Sequence, residues 1–221
     1  MEVKLISITQ PVIEGLLSPE DLVSYIARVS NPSNQLNTET APRLLKYLIK
    51  HKHWSPFEQV SITFEISTSR AIAAQILRHR SFCFQEFSQR YSTATEFEPF
   101  DLRKQAEKNR QSSEEKLEIS EEELSDIKKY IVDGSKLYNL LLNKGAAKEC
   151  ARMVLPLCTQ TTLYMTGNLR SWLSYFNVRL EENTQLEHRE IALAIAEIVA
   201  ELFPNTSEAL NKFNEFKGNF M

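Results

Sequence analysis

Between Gln59 and His79 the spacing of apolar residues changes once, from every second position to every third or fourth, and this switch constrains the fold more than any other feature. Residues 59–67 (QVSITFEIS) alternate, the period of a strand with one face buried. Ser69 then offers a capping hydroxyl. From Arg70 to about His79, residues Ile72, Ala73, Ile76 and Leu77 form the apolar stripe of a helix, with Gln75 and Arg78 together on another side. A strand followed at once by a helix, without a regular βαβ rhythm elsewhere, predicts an α+β fold.

The remaining elements fit that class. Residues 3–8 and 158–166 read as strands. Ser18-Pro19-Glu20-Asp21 opens a helix that runs to about Val29, and Asn31-Pro32-Ser33-Asn34 is a turn. Thr38 to Lys50 is a second helix with Leu44, Leu45, Leu48 and Ile49 on its buried side. Residues 131–143 and 146–154 read as helices split by Lys144-Gly145. Asn168 to about Arg179 and Gln185 to about Phe203 are further helices, the last ended by Pro204. Residues 93–130 are acidic and lysine-rich with few large apolar side chains, so a charged, partly helical surface excursion is expected there, its mobility left open. The expectation is one domain over residues 1–221, a small mixed or antiparallel sheet flanked by several helices.

Only five glycines occur, in no GxGxxG or GxxxxGK[ST] pattern, so a Rossmann fingerprint and a P-loop are excluded. Any phosphate must then be held by side chains, for which arginine is best suited. The net charge of −3 argues against a nucleic-acid binder and confines any anion site to a local basic patch. No apolar run approaches the length of a membrane span. The first residues lack a signal peptide's pattern, and three cysteines without CxxC spacing (Cys83, Cys150, Cys158) suit a reducing compartment. A cytoplasmic protein is expected.

Such a basic patch lies at Arg78-His79-Arg80 to Arg90, interleaved with Phe82, Phe84, Phe87 and Tyr91. Aromatic side chains favour burial, and arginines enclosed with them need anions, because an unpaired buried charge is costly. Glu86 can neutralise one. The rest invite a phosphate or carboxylate ligand, a structural salt-bridge network, or single-stranded nucleic acid with bases on the phenylalanines.

The run Arg78-His79-Arg80, seven residues, then Ser88 resembles the signature of the flavin-dependent thymidylate synthases. The likeness continues through Gln85-Glu86-Phe87-Ser88-Gln89-Arg90-Tyr91. His51-Lys52-His53-Trp54-Ser55-Pro56-Phe57-Glu58, Glu149-Cys150-Ala151-Arg152-Met153-Val154-Leu155-Pro156, and Asn168-Leu169-Arg170 to Arg179 resemble other segments of the family, in the same order. The resemblance spans about Ala27 to about Ala200 and skips the excursion.

It implies a methyltransferase that reductively methylates dUMP at C5 to dTMP. The carbon donor is 5,10-methylenetetrahydrofolate, and FAD reduced by NADPH supplies the hydride. A homotetramer with active sites at subunit junctions is implied as well, with no nucleic acid or membrane partner. Carried over residue by residue, Arg179 polarises the uracil near O2 and N3, and His53 lies near flavin and folate, either orienting a ligand or helping proton transfer; a structural histidine is the alternative. The flavin set is Ser55, Arg78, His79, Arg80, Glu86, Asn168, Leu169, Arg170 and Ser174. The dUMP set is Gln75, Ile76, Leu77, Arg78, Glu86, Phe87, Ser88, Gln89, Arg90, Arg152 and Arg179. Arg90 and Arg152 are the best phosphate ligands. Ser88 is assigned to binding, because a nucleophile would need an adjacent base. Cys83 is either a thiol activated by the arginines or a packing residue; the family does not require cysteine there. No carboxylate or thiolate spacing completes a metal site around His51, His53, His79 or His188, so none is expected.

Three positions depart from the family pattern. Gln89 stands where many members have glycine, Ser174 where members have asparagine or histidine touching FAD, and Asn183 where some have histidine near the flavin. The rival readings are a relative acting on another pyrimidine nucleotide and a non-catalytic anion-binding module.

Overall fold

The computed structural model describes residues 1–94 and 96–210. Its main sheet has four strands in the order β1 (Glu2–Ile8), β2 (Ser61–Ser69), β6 (Gln160–Asn168) and β3 (Cys83–Glu86). In β2 the alternation seen in the sequence becomes alternating burial, with Ile62, Phe64 and Ile66 fully buried. The threonines and serines between them pair across to β6. Thr63 meets Thr166 at 2.9 Å, and Ser67 meets Thr162 at 3.0 Å, so the two strands run antiparallel.

Contacts gather the chain into two compact units that interleave along the sequence. Unit 1 is Met1–Glu2, Ile66–Arg78 and Phe84–Leu163; unit 2 is Val3–Glu65, His79–Cys83 and the chain from Tyr164. Strands β2 and β6 each pass from one unit to the other partway along.

Unit 2 is helical around half of each long strand. Helix α1 (Pro19–Ala27) begins with the expected cap, a capping box in which Ser18 and Asp21 satisfy each other's backbone N–H. Helix α2 (Ala41–Lys50) buries Leu45 and Leu48, while Leu44 and Ile49 stay half-buried. Asn168 closes β6 and caps α6 (Leu169–Arg179), accepting from the Ser171 N–H at 2.9 Å. Helix α7 (Leu186–Leu202) buries Ile191, Ala192, Ile195, Ala196 and Val199. Pro204 does more than end α7: it opens an eighth helix, α8 (Pro204–Leu210), which the sequence does not predict. Trp172 of α6 lies edge-on to Phe64, centroids 5.1 Å apart, and its indole N–H donates to the Ile62 carbonyl at 3.3 Å.

Unit 1 carries α3 (Arg70–Ile76), capped by Ser69 as expected. It ends three residues sooner than its apolar stripe suggests. Leu77 is already the C-cap and is exposed, and the Arg78 N–H turns back to the Gln75 carbonyl at 3.3 Å. The charged excursion is more regular than expected. It holds an antiparallel hairpin, β4 (Arg103–Gln105) with β5 (Ser113–Lys116), and α4 (Glu121–Asn143) starts ten residues before the predicted helix. The reason is a second capping box, Ser120 with Glu123, followed by an acidic first turn that suits the helix dipole. Gly145 adopts φ +86° after α4, as a helix C-terminus favours, and α5 (Lys148–Ala151) follows.

Candidate active site

The segment that resembles the family signature divides between the units: Arg78 and the residues from Phe84 on belong to unit 1, and His79–Cys83 to unit 2. In unit 1, β3 ends at Glu86 and the Phe87 N–H donates to the Thr162 carbonyl at 2.9 Å, which leaves residues 88–92 as a turn closed on the Ser88 carbonyl. That turn lines a cavity of about 330 Å³ with Ser88, Arg90, Tyr91, Ala147, Lys148 and Glu149. Arg90 Nε donates to the Glu149 carboxylate at 2.8 Å, and Arg152 Nε donates to the Glu149 carbonyl at 3.3 Å. Both arginines assigned to phosphate are therefore tied to one residue at the start of α5. Lys148 was not predicted. Its ammonium donates to the Tyr91 carbonyl at 2.7 Å and retains two further N–H donors. Its place directly before the Glu149–Pro156 segment was the available signal. Among the described residues, Ser88 Oγ accepts only the Arg90 N–H, at 3.4 Å, and no base touches it.

Two expectations about this segment need correction. Glu86 does not pair with an arginine of the signature. Its carboxylate takes Arg70 Nη1 at 2.7 Å and Thr161 Oγ1 at 3.0 Å, because β3 aims it along the sheet toward the first residue of α3. Nor are the arginines enclosed with the aromatics. Arg78, Arg80 and Arg90 are exposed, as are Phe87 and Tyr91, while Phe82 alone is buried. Among the described residues, Arg78 and Arg80 make no side-chain hydrogen bond or ion pair. Of the other nucleotide-set residues, Ile76 lies fully in the core, Leu77 is exposed and Gln75 half-buried. Gln89, where glycine is common in the family, is buried.

In unit 2 the turn His79–Phe82 is fixed from both ends. One side of the Phe82 ring lies against Gly167 of β6, where an added Cβ would sit 2.4 Å from two of its ring carbons. Ser171 Oγ donates to the Ser81 carbonyl at 3.2 Å. The His79 ring consequently faces inward, and Arg179 Nε donates to its Nε2 at 2.8 Å. An acceptor Nε2 places the imidazole hydrogen on Nδ1, so His79 is neutral. Burial first, and the Arg179 charge second, push its pKa down to about 4. Tyr175, one helical turn before Arg179, stands edge-on to His79 at 4.9 Å, and its hydroxyl shares a 3.0 Å hydrogen bond with Nε2 of the fully buried His188. Burial and then Arg179 and His79 take the His188 pKa down to about 3. Burial also holds the Tyr175 hydroxyl well above its ordinary range. Neither Tyr175 nor His188 was assigned from the sequence, though a histidine on the apolar face of α7 was a visible signal.

The other members of the predicted flavin set lie in unit 2, apart from Arg78 and Glu86. Asn168 spends its side-chain oxygen on the α6 cap, Leu169 is core with its N–H on the Val60 carbonyl, and Arg170 pairs with Glu58. Ser55 and Ser174 are exposed. The His53 N–H bonds to the Leu48 carbonyl and closes α2 around Lys52 at φ +57°, while its ring stays exposed beside Tyr47 and His51.

Comparison with known proteins yields a consistent set of matches. A family described as Thymidylate synthase complementing protein matches residues 12–205. A probable flavin-dependent thymidylate synthase of Paramecium bursaria Chlorella virus 1 is 50% identical over 214 residues, which are 96% of this chain and 99% of that protein. A flavin-dependent thymidylate synthase of Synechocystis is 51% identical, covering 95% and 99%. Among solved structures, a UMP/dUMP methylase from Streptomyces cacaoi bound with 5-Br dUMP is similar at a TM-score of 0.82 and 26% identity, over 96% of this chain and 95% of that one.

Proposed function

The chain belongs to the flavin-dependent thymidylate synthase family, and from that premise we propose that it methylates dUMP at C5, with 5,10-methylenetetrahydrofolate as carbon donor and FAD, reduced by NADPH, as hydride source. The observation that carries this reading is the Arg179 guanidinium held through Nε on a neutral histidine, its two terminal nitrogens without a partner among the described residues. C5 of uracil is a weak nucleophile. The classical thymidylate synthases activate it by adding a cysteine of a Pro-Cys-His motif to C6, and no such motif occurs here. Burial pushes the Cys158 thiol up, away from the thiolate such an addition needs. Activation then falls to electrostatics. A fixed guanidinium at O2 and N3 stabilises negative charge at those atoms and so favours the N3-deprotonated pyrimidine, its proton released to water, whose C5 is the more nucleophilic.

The nucleotide phosphate belongs in the cavity at Ser88, Arg90 and Lys148, with Arg152 beside it. Gln75 to Arg78 and Glu86 to Arg90 complete the dUMP set. Flavin fits the donors present: Arg80 is exposed and uncommitted, which suits a diphosphate, and Ser55, His79, Asn168, Leu169, Arg170 and Ser174 share its unit. The assignment of Arg78 and Glu86 to the same flavin, and of His53 near it, stands on the resemblance. Bound flavin supplies the reducing equivalents that turn the transferred carbon into a methyl group. A homotetramer is supported by large apolar side chains of unit 1 left open in the isolated chain, Tyr91, Met153 and Leu157 being 85%, 79% and 73% exposed. No helix among the described residues is long and apolar enough to cross a membrane, and a cytoplasmic location suits the substrates.

A second reading, methylation of UMP as well, has the solved UMP/dUMP methylase in its favour. The test is direct. Purified protein should show a flavin absorbance spectrum and convert dUMP to dTMP with methylenetetrahydrofolate and NADPH, with UMP and dCMP followed by product mass. Failure on dUMP would sink the proposal. Arg179→Ala should lower turnover by about 10²–10³-fold while flavin content is largely kept.

A further inference from the structure

The Arg179 guanidinium does not stand alone: His79 holds it, and Tyr175 and His188 behind that ring have no assigned role in the chemistry. Its Nε is taken by His79, so only the two Nη groups remain to meet a substrate. That division is possible only while His79 is an acceptor. A protonated imidazole would repel the guanidinium and have no lone pair at Nε2. The ring is kept in that state by its surroundings: Tyr175 edge-on at 4.9 Å, Phe82 at 6.4 Å, and His188 at 6.1 Å. The Tyr175 ring is fixed in turn by its hydroxyl's bond to His188, which α7 buries completely. All five residues belong to unit 2. A buried histidine–tyrosine pair that served packing alone would be more cheaply replaced by apolar side chains, since each polar group needs its partner.

We infer that His79, backed by Tyr175 and His188, is a positioning residue for Arg179: it clamps the guanidinium through Nε and leaves a fixed two-pronged Nη fork for two acceptors, the pyrimidine O2 and the deprotonated N3. The inference rests on the reading of Arg179 as the group that polarises the base. It differs from the role that the family resemblance gives His79, which is contact with the flavin. Fixing one guanidinium nitrogen removes the torsional freedom of the head group before substrate arrives, and such pre-orientation acts on kcat more than on KM.

The test uses full-length, flavin-loaded protein uniformly labelled with 15N-arginine, in which the Arg179 Nε–H resonance is identified by its loss in Arg179→Ala. His79→Gln restores a neutral acceptor near the Nε2 position, and His79→Phe removes it. In wild type the Nε–H proton should exchange slowly with water; in His79→Phe it should exchange fast, and in His79→Gln slowly again. Turnover should follow, with kcat down about a hundredfold in the Phe variant at a dUMP KM changed less than about threefold, and recovered for the most part by Gln. Should the Phe variant fail to fold, Tyr175→Phe reads the same resonance, with faster exchange expected. An Nε–H signal untouched by either substitution overturns the inference. So does a Phe variant that loses flavin yet keeps its turnover per bound flavin. Full turnover in Arg179→Ala would instead refute the polarising role, while the resonance would still decide whether His79 clamps the side chain.

Discussion

Gly167 is where the smallest side chain has the largest structural consequence. Its backbone is ordinary for a strand; what it provides is room for the Phe82 ring, which no Cβ would leave. Phe82 then packs on Trp172 at 4.6 Å, and the turn that starts at His79 is fixed. Gly167→Ala should therefore cost about 1–3 kcal/mol through overpacking, read as a lower urea midpoint, and should weaken flavin retention because the turn moves. A variant with unchanged stability would mean that Phe82 has another place to go. Ser88 makes the opposite case. Among the described residues its hydroxyl meets one backbone N–H and no base, so nothing there activates it as a nucleophile. Ser88→Ala should raise the dUMP KM and leave kcat within about tenfold, as loss of a binding contact does; a collapse of kcat with KM intact would overturn its assignment to binding. At this scale the sequence names candidates well, because arginine, serine and histidine carry their chemistry with them. It cannot say which partner each finds. Glu86 takes Arg70 rather than its neighbours, and His79 takes Arg179 across a hundred residues.

Element by element, what was legible follows from whether the signal is local. Ser18, Ser69 and Asn168 announce their helices because a cap acts within three residues, and β2 and β6 show in their alternation. Strand β3 was missed because its four residues carry too little pattern and exist by pairing within the sheet. The first ten residues of α4 were read only as part of a partly helical excursion, because their side chains are mostly polar, although the Ser120–Glu123 box was there to place the start. Helix α8 has a different cause. Its N-terminus is satisfied from far away, by Glu20 of α1, whose buried carboxylate accepts from the Thr206 N–H at 2.7 Å and from Asn205 N–H and Nδ2 at 3.1 and 2.7 Å. No window around Pro204 contains that information. Glu20→Ala should leave these donors unsatisfied and cost about 1–3 kcal/mol. Limited proteolysis should then open the chain near Phe203 before any other site, and a cleavage pattern identical to wild type would show that α8 holds without its remote cap.

On the scale of the whole molecule, acid tests the same network that positions Arg179. His79 and His188 both titrate in the fold well below their ordinary 6.5, at about 4 and about 3, with burial the larger cause in each. The unfolded chain therefore binds protons that the fold refuses. Their contribution to stability is complete above pH 6.5 and is lost as the pH falls from there toward 4 and 3. Over that window each histidine lowers the free energy of unfolding by up to about 1.4 kcal/mol per pH unit. The carboxylates act elsewhere. Glu65 is held below its ordinary 4.5 by Tyr164 first and also by Lys4, against a smaller opposing effect of burial, so what it contributes is lost only under 4.5. Between pH 6.5 and 5 the histidines should dominate. Urea midpoints at pH 7.5, 6.5, 5.5 and 5.0, at one fixed protein concentration because assembly also shifts stability, should be level at the top and fall steadily below 6.5. His79→Gln, which cannot take up a proton, should fall less steeply over the same range. A wild-type midpoint that stays flat or rises on acidification would mean that these imidazoles are protonated inside the fold, and then His79 could not be the acceptor that Arg179 Nε requires.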